Sequence, residues 1–226
     1  MESINNIVLV QDAEKRTDDA LNYALQLSNH LNARLTIGLC YQAAEPMLEG
    51  ATTVSNAFQH IKKDYLVNAP VDYRLVSCNT QRCEDADTTL SIYLPDLYVL
   101  NLKAVDQLYP LLDRIYCPIL LLQTKMKFKP VQKMLMLAEN AEETTVLNHA
   151  AEFSGIIDAD HTIIDMQEAA LKNALEPSSH NKADKTDYQM LVLMVNDKLF
   201  SVMQSFYGPI IDHALQYHLP VVIYKI

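Results

Sequence analysis

The sequence predicts an α/β protein built from two tandem, doubly wound parallel-sheet units related by a pseudo-twofold, with the second unit abbreviated. Three observations carry this. First, Tyr109-Pro-Leu-Leu-Asp-Arg and Tyr207-Gly-Pro-Ile-Ile-Asp-His share a run of proline, two aliphatics, aspartate and a basic or imidazole residue. Each run leads to a second proline, Pro118 or Pro220, that opens an apolar strand. A match about half a chain apart marks an internal repeat. Second, short apolar runs alternate with segments of helical period, the order of a sheet wound with helices on both faces. Third, several of those runs are apolar on both faces, as strands inside a parallel sheet must be. The predicted units are residues 1–125 and 130–226.

In the first unit, residues 6–11 (Asn-Ile-Val-Leu-Val-Gln) form a strand ended by Asp12. Residues 16–31 predict a helix. Thr17 is its N-cap, Asp18 and Asp19 favour the positive helix end, and Ala20, Tyr23, Ala24, Leu27 and Leu31 share one face. Residues 34–40 are the second strand. Residues 41–53, with Pro46 and Gly50, are a loop, and 54–67 a second helix. Residues 72–77 alternate, as a more exposed strand does. Residues 79–93 hold a short helix, 95–101 the fourth strand, 106–116 a helix with Pro110 in its first turn, and 118–123 the fifth strand.

After a basic linker over 124–130 the cycle restarts. Residues 133–137 are a strand. Asn140 caps a helix over 142–153, which Gly155 closes. A strand over 162–166, a helix over 167–175 and a polar loop over 176–185 follow. The strand over 187–195 matches 96–101. Residues 198–217 are helical, in two pieces broken near Gly208-Pro209, and 220–226 close the chain. The second unit is thus expected to lack one strand and one helix of the first.

Composition bounds the function. The chain has 226 residues, half of them hydrophobic, with a net charge of -10. That charge excludes the clustered basic face nucleic acid needs, and opposes an anionic membrane surface. No apolar run approaches the roughly 20 residues that span a bilayer. The opening Met-Glu-Ser-Ile-Asn-Asn has no basic or apolar signal region, so a cytoplasmic protein is expected. Cys40, Cys78, Cys83 and Cys117 supply one close pair and no second, so reduced structural thiols are expected and no metal.

Three features resemble the universal stress protein family. They are the opening Asn6-Ile-Val-Leu-Val-Gln-Asp12, the Ala/Leu-rich helix leading to Asn32-Ala-Arg-Leu-Thr-Ile37, and the closing Cys117-Pro-Ile-Leu-Leu-Leu and Leu219-Pro-Val-Val-Ile-Tyr. The resemblance covers nearly the whole chain as a tandem pair and implies Rossmann-like, universal-stress-type units. It also implies a nucleotide site at the strand ends. On that basis Asp12, Leu39, Leu100, Asn101, Glu139, Asn196 and Gly208 are the candidate nucleotide-binding residues. The alternative for Asp12 is an ordinary turn or cap aspartate, and Glu139 is its counterpart in the second unit.

The sequence departs from the family's phosphate loop. Nucleotide-binding members carry glycines after the fourth strand, then Gly-Ser or Gly-Thr, so that backbone amides approach phosphate. Here residues 101–109 hold no glycine. Residues 196–208 hold only Gly208, with Pro209 where a hydroxyl residue would stand. Lys103 and Lys198 follow the fourth strands, but a lysine without a glycine-rich loop reads as a solvated surface charge.

Enzyme signals are lacking. The histidines at 30, 60, 149, 161, 180, 213 and 218 include no i, i+4 pair, no Gly-x-Ser-x-Gly elbow occurs, and Cys117 has no evident base partner. The expected function is a non-enzymatic stress-response or regulatory role through protein contacts, with no cofactor. The alternative is a sensor that binds ATP, AMP or another small ligand at the strand ends near Asp12. The apolar strands 118–123 and 220–226 are expected sheet edges that need covering. They would pair with each other, or with a protein partner or second copy in a dimer.

Overall fold

The computed structural model describes residues 3–13, 18–41, 47–79, 89–101, 114–166, 188–195, 200–216 and 218–226. The chain divides into two compact units that meet in sequence between Phe128 and Lys129. Thr17, the helix expected over 167–175, the loop over 176–185 and most of the helix expected over 106–116 lie outside the described residues.

In the first unit, β1 (Asn6–Asp12), β2 (Arg34–Tyr41), β3 (Tyr73–Asn79), β4 (Leu97–Asn101) and β5 (Ile119–Leu122) form a parallel sheet in the order β3-β2-β1-β4-β5. The register runs from Asn6↔Arg34 to Asp12↔Cys40 on one side of β1, and from Ile7↔Leu97 to Val10↔Leu100 on the other. Ile7, Val8 and Leu9 are fully buried. Each such aliphatic contributes about 1.5–3 kcal/mol relative to an exposed one.

Helix α1 (Asp18–Leu31) buries Ala20, Leu21, Tyr23, Ala24, Leu27 and Ser28. Leu31, expected on the same face, is only half-buried. It ends where Asn32 turns left-handed, with φ 52°, and the Ala33 N–H donates to the Ser28 carbonyl at 2.8 Å. Asparagine is the residue after glycine that best tolerates this ending.

Helix α2 spans Met47–Ile61 and widens into a π turn over Lys62–Leu66. It therefore starts inside the stretch expected to be loop. Gly50 costs a helix only about 1 kcal/mol, too little to stop one. Of the helix expected over 79–93, the described part is a helical end at Thr89 and Leu90 that tightens into a 3-10 turn, Ser91–Tyr93, while Asn79 belongs to β3.

The second unit holds β6 (Lys133–Ala138), α3 (Thr144–Ile157), β7 (Asp160–Asp165), β8 (Met190–Val195), α4 (Phe200–Gln216) and β9 (Val221–Lys225). Its strands are parallel in the order β7-β6-β8-β9. This is the first unit's order without a strand beyond β7, among the described residues.

Two expectations here are corrected. Asn140 does not cap α3. It sits at φ 56° in a turn whose carbonyl accepts the Glu143 N–H at 2.8 Å. Gly155 does not close α3 either. It lies inside the helix, which ends at left-handed Asp158. Asparagine suits both a cap and a left-handed turn, so sequence alone gives it either role. A third correction concerns α4, which runs unbroken through Pro209. Proline crowds the Cβ of the residue before it, and Gly208 has none, which removes part of the usual penalty.

The two units repeat the same polar ties at their strand starts. Asp96 Oδ2 accepts the N–H groups of Asn5 and Asn6 at 2.9 Å each. Gln189 Oε1 accepts those of Gln132 and Lys133 at 3.0 and 2.7 Å. The Arg34 N–H donates to the Asn5 carbonyl at 2.8 Å, and that of Asp160 to the Gln132 carbonyl at 2.9 Å. The Ala159 N–H donates to Ser154 as that of Ala33 does to Ser28.

Candidate functional site

In the first unit the chain winds outward through β2 and β3, then returns to β4 and β5 on the other side of β1. The direction of winding reverses between β1 and β4. A crevice outside the carboxyl ends of the strands at such a point is where open α/β sheets take ligands. Asp12 is the last residue of β1 and Asn101 the last of β4, so both flank it. Each is half-buried.

Leu39, paired with Gln11, and Leu100, paired with Val10, lie one and two rows in from Asp12. Their side chains are buried in the sheet, so a ligand at the strand ends would meet their backbone at most. The Ala13 N–H donates to the Cys40 carbonyl at 2.8 Å and holds the turn after Asp12 against β2. The structure thus brings Asp12, Leu39, Leu100 and Asn101 to one end of three adjacent strands. Gln11, buried beside Asp12, was missed by the sequence reading. Its signal was a polar residue ending an otherwise apolar strand.

In the second unit the reversal falls between β6 and β8. Glu139 follows β6 there and is exposed. Asp165 ends neighbouring β7, and its Oδ2 accepts the Ala141 N–H at 3.4 Å. Both side chains are acidic, which opposes a phosphate. Gly208 lies in the interior of α4, where backbone amides serve the helix's own hydrogen bonds. Asn196, Lys103 and Lys198 lie outside the described residues.

Among the described residues, no group of three His, Cys, Asp or Glu is placed to hold a metal ion. The His60 imidazole is flanked by two carboxylates, with Nδ1 2.7 Å from Asp64 Oδ2 and Nε2 3.9 Å from Asp18 Oδ1. That contact ties the end of α2 to the start of α1 on an open surface. No helix among the described residues is long and apolar enough to cross a membrane.

No family model matches the chain, and no curated protein sequence does. Solved structures do. A universal stress protein from Archaeoglobus fulgidus DSM 4304 is 8% identical, with a TM-score of 0.58 over 99% of this chain and 97% of that one. A protein of unknown function from Pseudomonas aeruginosa PAO1 is 14% identical, with a TM-score of 0.56 over 99% and 93%. A protein assigned to the universal stress family from Pseudomonas aeruginosa UCBPP-PA14 is 13% identical, with a TM-score of 0.56 over 99% and 94%. Identities this low speak for the architecture and not for the chemistry: along its whole length, the chain has the fold of the universal stress proteins.

Proposed function

We propose that the chain is a tandem universal-stress-type protein of the cytoplasm, without catalytic activity, that serves a stress-response or regulatory role through protein contacts. In this reading the ATP phosphate loop has been lost. One observation carries the proposal: the stretches after β4 and β8 lack the glycines that a cradle of backbone amides requires. Residues 101–109 have none, and the first after β8 is Gly208, inside α4 and followed by Pro209. Side chains crowd such a loop, and proline has no N–H to offer. In the second unit, Glu139 just after β6 and Asp165 at the end of β7 support the same reading, because carboxylates repel phosphate.

A second reading keeps a small ligand at the strand ends, since Asp12 and Asn101 flank the point where such ligands bind. A carboxylate there would suit ribose hydroxyls or an exocyclic amine better than a phosphate. Calorimetry with ATP and AMP on the purified chain separates the two, with Asp12→Ala as control. The proposal expects no heat at millimolar nucleotide. Micromolar binding that the substitution abolishes would replace it with a nucleotide sensor.

A further inference from the structure

A cleft at the opposite end of the first unit's sheet belongs to no part of the site above. It encloses about 330 Å³ between the start of β1, the end of α1 and the turn before β3. That is the small end of the range for small-molecule sites, which starts at roughly 300 Å³. Its chemistry is uniform. Asn5, Asn6, Asn29 and Asn32 line the wall, and a carboxamide carries one acceptor oxygen and two donor hydrogens. That of Asn5 already donates to Ser3 Oγ at 2.7 Å. The charged lining is Arg34 and Asp72, and these cancel, with Nε 2.7 Å from Oδ2. Pro70 and Val71 supply a small apolar face.

A second observation points to a ligand. Ser28 lines the same cleft, is 0% exposed, and its hydroxyl has no hydrogen-bond partner. A buried hydroxyl left without a partner loses the hydrogen bonds it made to water. Its counterpart Ser154 in the second unit has no such deficit, because its Oγ donates to the Ala151 carbonyl at 3.0 Å.

We propose that this cleft binds a neutral, polyhydroxylated small molecule of monosaccharide or cyclitol size. Carboxamides and a paired Arg–Asp fork offer donors and acceptors side by side, which is what vicinal hydroxyls need. An ion would be desolvated with no net opposite charge to meet it. A ring of such a ligand would lay its C–H face on Pro70 and Val71 and offer a hydroxyl to Ser28. The second unit has a matching depression of about 310 Å³, lined by Gln132, Ser154, Asp158 and Asp160 among others. It carries two carboxylates and no arginine, so it lacks the neutral balance and serves as an internal control.

The test titrates the isotope-labelled full chain with glucose, ribose and myo-inositol in turn, to tens of millimolar, and follows backbone amide shifts. Sodium acetate and inorganic phosphate are the ionic controls. Saturating shifts at Asn5, Asn29, Asn32 and Arg34 are expected for at least one polyol, with none around Asp158. Asn29→Ala and Arg34→Gln, both at exposed positions, should each weaken that binding about tenfold, the worth of one good hydrogen bond. The proposal is overturned by no saturating shift with any polyol, by equal affinity in the two variants, or by a cleft that takes the anions instead.

Discussion

Glycine is scarce here, and two of the four residues make opposite predictions. Gly155 is exposed inside α3, and a Cβ built on it would meet nothing within 4 Å. Alanine there should raise stability by about 0.5–1 kcal/mol, because glycine wastes conformational entropy in a helix. Gly38 sits mid-strand in β2, where an added Cβ would stand 2.7 Å from a Leu90 methyl carbon. Leu90 is fully buried, so it yields only at the expense of its neighbours. Gly38→Ala should cost about 1 kcal/mol, the low end for overpacking, since the clash is with a side-chain tip. Adding Leu90→Val should recover part of that loss. Urea unfolding of the three variants beside the parent checks both signs.

At the scale of the element, α1 carries a titration that should appear in alkali. Tyr23 is buried against the sheet, and Phe128 meets its ring edge-on at a centroid distance of 5.4 Å. Burial raises the Tyr23 phenol well above its ordinary range, because the phenolate would lose its water. The folded state therefore holds this proton more tightly than the unfolded chain. Its contribution is complete below about pH 10 and is lost as pH rises beyond that, by up to roughly 1.4 kcal/mol per pH unit. Tyr224, beside Phe153 in the second unit, shifts in the same direction for the same reason. Tyr23→Phe should make the urea midpoint fall less steeply between pH 10 and 11 than in the parent, and an unchanged slope would discard this account.

Elements were legible where period and punctuation agreed. Pro118 and Pro220 announced β5 and β9, and most of the buried face of α1 was readable, although Leu21 and Ser28 were missed and Leu31 is only half-buried. Boundaries failed where one residue type serves two conformations, as with Asn140, or where a breaker is tolerated, as with Gly50, Gly155 and Pro209. The strand-end candidates followed from strand order alone. The cleft at the other end did not, because its walls come from three places in the sequence, Asn5, Asn29 and Asp72. No local pattern marks Ser28 as a hydroxyl lacking a partner.

For the whole molecule, the dominant fact is charge. With 28 acidic against 18 basic residues, the chain repels itself in the folded state more than in the expanded one. Salt should relieve this, since the Debye length falls from about 30 Å at 0.01 M to about 8 Å at 0.15 M. The melting temperature is therefore expected to rise with sodium chloride over that range. A fall would mean that surface ion pairs such as Arg34–Asp72 outweigh the general repulsion.

The ties made by Asp96 and Gln189 bear on how the chain is made. Asp96 reaches back 91 residues to Asn5, whereas Gln189 reaches back 57 to Gln132. Closing the longer loop costs about 0.4 kcal/mol more, a small difference in equilibrium terms. The delay on the ribosome is larger. At roughly 5–20 residues per second, β1 waits about 5–20 s for β4 to be made, with one apolar edge open. The first unit is therefore expected to leave an apolar strand edge unpaired for longer during synthesis than the second.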